Sequence, residues 1–106
     1  MAQSYKQQYA EKLSKSYNFI EAYPVWLELA KENTPIDTHT VRQLITAAYE
    51  SEQYEAALEW SLKFTTNGKD LQPKDFLIQL QLLQLTKNTD KLVPTIDLGL
   101  KLFAQD

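Results

Sequence analysis

Residues 17–35, YNFIEAYPVWLELAKENTP, and residues 50–68, ESEQYEAALEWSLKFTTNG, carry one helical pattern written twice. In the first, Phe19, Ala22, Trp26 and Leu29 recur every three or four residues. At an offset of 35 the same positions hold Tyr54, Ala57, Ser61 and Phe64. That spacing places all four side chains on one face of a helix, so each stretch reads as an amphipathic helix with its inner stripe in a fixed register. A further step of 35 reaches Thr89, Leu92, Ile96 and Gly99, a drifted third copy, and carries Pro24 onto Pro94. The helix upstream keeps the same period: Tyr9, Ala10 and Leu13, then Leu44, Ile45 and Ala48, then Gln79, Leu80 and Leu83. Nearly the whole chain of 106 residues is covered by this repeat.

The pattern predicts six helices in three antiparallel pairs, at 3–15 and 18–32, 37–50 and 53–66, 73–86 and 90–104. Asn33, Thr34 and Pro35 close the first pair. Asn67, Gly68 and Lys69 close the second, Gly68 being the residue that tolerates a left-handed stop. Asn18 with Glu21, and Asp37 or Thr38, read as N-terminal caps, and Pro73 fits a first helical turn. Pro24 and Pro94 fall several residues into their helices, where each marks a bend or a later helix start. Two glycines, four prolines and no strand-like alternation put the expected helix content above about 70%, against ~30–35% in an ordinary globular chain.

These residues resemble the tetratricopeptide repeat family, whose helix-turn-helix unit has a period of about 34 residues, with alanine and an aromatic on its second helix. On the first helix the family pattern is bulky, bulky-small, bulky, and the small residue is Ala10 in the first copy but Ile45 and Leu80 in the others, while Asp97 interrupts the third. The resemblance implies an all-α fold, a right-handed superhelix of three antiparallel helix-turn-helix repeats at about 3–35, 36–72 and 73–106. Together these form one domain, read as a piece cut from a longer protein. It also implies that the first helices line a concave face and that partners dock there. Projected onto this chain, that face comprises Ser4, Gln7, Glu11 and Ser14, then His39, Arg42, Thr46 and Tyr49, then Lys74, Leu77, Gln81 and Gln84. Arg42 offers a bidentate grip on a carboxylate, and Tyr49 is the aromatic anchor of an otherwise polar stripe. The branch of the family that clamps C-terminal carboxylates does so with lysine and asparagine. Here Gln7, Glu11 and Arg42 stand instead, and Glu11 repels a carboxylate.

Composition narrows the chemistry. Eleven basic and fourteen acidic residues give a net charge of −3 with no basic run, against nucleic-acid binding. Without cysteine there is no disulfide and no thiolate metal site, and with His39 the sole histidine a zinc site would need carboxylates for its other ligands. His39 has no nucleophile at helical spacing and no glycine-rich loop cradles phosphate, so the expectation is a non-enzyme without cofactor or metal. No stretch reads as a secretory leader or a membrane span, so the chain as given reads as soluble, with its compartment, cytosol or periplasm, left open. Trp26, Trp60, Phe64, Phe76 and Phe103 are read as core.

The two ends differ. The first helix, SYKQQYAEKLSKS, is polar on most of its circumference. FLIQLQLLQL (76–85) and the last helix, with Leu98, Leu100, Leu102 and Phe103 offset by Asp97, Lys101 and Gln105, are apolar on more than one face. The functional expectation is a protein-protein interaction scaffold that binds a partner protein or peptide on Gln7, Glu11, His39, Arg42, Thr46, Tyr49, Gln81 and Gln84. The alternative is a homodimerisation module working through Leu98, Leu102 and Phe103.

Overall fold

The computed structural model describes residues 2–33 and 35–103, with side chains from Tyr5 onward. Thr34, Gln105, the side chain of Ser4 and the final residue of the last expected helix lie outside the described residues. The chain is all-helical: α1 (Ala2–Lys15), α2 (Phe19–Glu32), α3 (Thr38–Glu50), α4 (Tyr54–Asn67), α5 (Pro73–Leu85) and α6 (Leu92–Phe103), the last preceded by a 3-10 turn at Thr89–Lys91. No strand occurs among the described residues.

The helices form two compact units, residues 1–53 and 54–106, so the division falls inside the second of the three expected repeats. In the first unit α2 packs against both α1 and α3. Ala10, Ala22, Ala47 and Ala48 are wholly buried, letting the helix axes approach closely around the large side chains of Trp26, Leu29 and Leu44. Across the α1–α2 surface, Lys6 Nζ reaches Glu32 at 2.6 Å and Glu28 at 3.1 Å. In the second unit α5 packs against α4 and α6, burying Phe64, Phe76, Leu82 and Leu83. Its interior also holds a polar knot. Gln79 Oε1 accepts from the hydroxyls of Ser61 (2.8 Å) and Thr65 (2.9 Å), and Gln79 Nε2 donates to Thr95 (3.4 Å).

The repeat is written into the backbone at the ends of α1, α3 and α5. Tyr17, Glu52 and Lys87, spaced by 35, have φ of 61°, 65° and 63°. After each one the same pair of hydrogen bonds closes the helix. Asn18, Gln53 and Asn88 donate to Leu13, Ala48 and Leu83, each at 2.8 Å, while Tyr17, Glu52 and Lys87 donate to Ser14, Tyr49 and Gln84. This is the Schellman closure, made three times without glycine.

Glycine is used elsewhere and for another reason. Gly68 has an ordinary φ, which corrects the expectation of a left-handed stop there; the left-handed residue of that connection is Asp70. A Cβ on Gly68 would lie 2.4 Å from the Phe64 carbonyl oxygen and 2.7 Å from its ring, so the position requires space. Pro24 stands inside an unbroken α2, on its exposed side. The carbonyl it leaves without a helical donor, that of Ile20, belongs to an exposed residue that water can reach. Pro94, by contrast, sits in the first turn of α6 because the 3-10 turn delays that helix, and there no intrahelical donor is lost. Asp37 caps α3 as expected, its Oδ1 accepting from Thr40 N at 2.7 Å. Asn18 makes no side-chain cap, and α2 begins instead on a backbone bond from Ala22 to Asn18.

Candidate functional site

The first unit brings the α1 and α3 portions of the predicted stripe together. His39 falls in the first turn of α3, whose start Asp37 fixes, and its Nε2 lies 2.6 Å from Glu11 Oε2 on α1. The pair is half exposed, and it takes up the carboxylate that the sequence left as a repulsive group on the stripe. His39 therefore links α1 to α3. Its ring also stands edge-on to Trp26, with centroids 5.9 Å apart and planes at 80°. Trp26 is fully buried, and its indole Nε1 donates to Ser14 Oγ at 2.9 Å. Ser14, assigned to the open stripe from sequence, thus serves as the acceptor that lets a tryptophan be buried.

From this anchor the stripe runs along α3 through Arg42, Thr46 and Tyr49, all partly exposed, with Gln7 one turn before Glu11 on α1. Arg42 and Tyr49 each make an interaction within the fold. Gln81 and Gln84 lie on the exposed side of α5 in the second unit, in line with Lys74 and Leu77. No group of three metal-capable side chains occurs among the described residues. No described helix is long and apolar enough to cross a membrane.

Two features escaped the sequence reading. At the first turn, Tyr17, Asn18, Phe19, Ile20, Glu21 and Glu50 line a shallow groove of ≈ 320 Å³, with Tyr17 edge-on to Phe19 at 6.2 Å. Ile20 is mostly exposed there, and the repeat offset carried the signal, since Glu55 and Asp90 occupy its position in the later copies. The second is Trp60, expected in the core but partly exposed, with Lys63 Nζ 5.4 Å above its ring. No family model, curated protein or solved structure matches this chain. The 35-residue offset of the sequence recurs in the backbone as the threefold turn.

Leu98 and Leu102 are exposed on α6, and the partly buried Phe103 stands edge-on to Phe76, ring centroids 5.8 Å apart at 73°.

Proposed function

We propose that this protein is a non-catalytic interaction module, three tetratricopeptide-like repeats in a right-handed superhelix, that holds a partner protein or peptide on the face formed by its first helices. The observation that carries the reading is the Glu11–His39 pair, which joins α1 to α3 and sets Gln7, Arg42, Thr46 and Tyr49 beside it on two neighbouring helices. A row of partly exposed polar groups with one guanidinium and one phenol suits an extended acidic or amide-rich segment, bound by side-chain hydrogen bonds with the tyrosine as anchor. The test is capture from a lysate of the source cells by the wild-type chain and by Arg42→Glu, with the variant's fold verified by its melting curve. A protein held by the first and released by the second supports the reading; equal capture by both overturns it.

A second reading, self-association through α6, is favoured by the exposure of Leu98 and Leu102. It predicts that Leu102→Glu lowers the mass of the chain in solution and leaves capture unchanged.

A further inference from the structure

The threefold repeat tells which faces its own joints bury. In the second unit α5 lies on α4 through Gln79, which reaches Ser61 and Thr65. The stripe on α5 is Asp75, Gln79 and Leu82, all buried, and the facing stripe on α4 is Leu58, Ser61 and Thr65, also buried. In the first unit α3 and α2 make the corresponding joint. There Thr40, Leu44 and Ala47 are buried on α3, and Trp26 and Ala30 are buried on α2 with Tyr23 partly so.

One step of 35 backward from α3 lands on Tyr5, Tyr9 and Lys12 of α1, and one step forward from α4 lands on Val93, Ile96 and Leu100 of α6. All six are exposed: Tyr5 by 79% and Tyr9 by 51%, Val93 by 64%, Ile96 by 44% and Leu100 by 60%, with Lys12 open to solvent as well. The chain thus displays the two halves of its own internal joint, one on α1 and the other on α6, each exposed.

We infer that the chain associates head to tail with a second copy of itself, α1 of one copy seating on α6 of the next as α5 seats on α4. The inference is independent of the α1–α3 reading above and differs from a symmetric α6 pairing, because it needs two different faces. By the Gln79 geometry, Tyr9 of one copy lies between Ile96 and Leu100 of the next, two aliphatic side chains where the internal joint has two hydroxyls. A phenol ring on isoleucine and leucine needs no hydrogen-bonded knot to be buried, and its hydroxyl can keep to the rim. Lys12 replaces the buried Ala47 and Leu82, so its stem covers the edge of the joint while its ammonium stays in water. That makes this joint weaker than the internal ones, and the association depends on concentration. A joint of unlike faces closes into a ring or runs on as an open chain according to the rotation it imposes.

The test is sedimentation velocity from about 10 µM to about 1 mM, a range reaching dissociation constants near 1 mM. The probes are the wild-type chain, Tyr9→Glu, Ile96→Glu and an equimolar mixture of the two variants. Expected are a wild-type average mass that rises above one protomer with concentration, monomers for either variant alone, and a one-to-one dimer for the mixture, whose intact α6 and α1 faces come from different chains. A wild type that stays monomeric overturns the inference. So does a Tyr9→Glu chain that still dimerises, which is the signature of α6 pairing with itself, and so does a mixture that remains monomeric. All four positions substituted here are exposed. Should either variant lose its far-ultraviolet helix signal, Tyr5→Arg and Leu100→Arg repeat the same four-way comparison.

Discussion

Replacing Gln79 by leucine isolates the buried polar knot of the second unit. Gln79 Oε1 accepts two hydroxyls, from Ser61 at 2.8 Å and Thr65 at 2.9 Å, and all three residues are almost wholly buried. Leucine is of similar size, so the substitution removes the acceptor without opening a large cavity. Each hydroxyl left without a partner costs about 1–3 kcal/mol. Both residues are helical and can turn back toward a backbone carbonyl, as Thr65 already does toward Leu62 at 3.4 Å, which recovers part of that loss. The expected net cost is about 2 kcal/mol, or a drop of about 1 M in the urea midpoint for a protein of this size. Removing the hydroxyls as well, in Ser61→Ala/Thr65→Val/Gln79→Leu, takes away the two orphaned donors and leaves only Thr95 without its long 3.4 Å bond from Gln79 Nε2, so stability returns to within about 1 kcal/mol of wild type. Urea melts followed by circular dichroism check both. A Gln79→Leu chain as stable as wild type, or a triple variant no better than the single one, refutes the reasoning.

Other substitutions probe the turns, the core and the surface. Glu52→Gly and Lys87→Gly should each stabilise by about 0.5–1 kcal/mol, since a left-handed L-residue costs ~1–2 kcal/mol and the added freedom of glycine takes back part of that; thermal melts decide. Gly68→Ala should destabilise by about 1–3 kcal/mol, because the new Cβ meets the Phe64 carbonyl and ring at once, and a lower urea midpoint is the readout. With Trp60→Phe, the remaining emission comes from the fully buried Trp26 and should resist acrylamide quenching; with Trp26→Phe, the emission from Trp60 should quench readily. The Glu32 and Glu28 carboxylates hold the Lys6 ammonium above its ordinary pKa. A raised lysine contributes fully below its unfolded pKa and loses the contribution as pH climbs through the folded one. The stability gap between wild type and Lys6→Met should therefore be flat from about pH 6 to 9 and close only in strong alkali.

What could be read from the chain and what could not divide along physical lines. Helix positions were legible because the buried stripe is apolar and periodic: Ala22, Trp26 and Leu29 announce the inner face of α2, and every described boundary lies within two residues of the pattern's own. The turns after α1, α3 and α5 were not, because Tyr17, Glu52 and Lys87 carry no glycine to advertise a positive φ; only their common offset of 35 residues does. Gly68 was misread for the converse reason, since a glycine kept for space looks in sequence like one kept for its backbone. Of the candidate site, the helix faces were legible from spacing, whereas the Glu11–His39 bond depends on how α1 and α3 sit against α2 and is invisible to residue spacing along either helix. Phe103 belonged to the same problem, as its ring finds Phe76 on another helix.

The most direct test of the binding account is hydrogen–deuterium exchange of the chain alone and with the partner that wild type captures and Arg42→Glu releases. The account predicts added protection over the α1 segment around Gln7 and Glu11 and over His39–Tyr49 of α3, with α6 unchanged. Protection confined to α6, or none in α1 and α3, would contradict it.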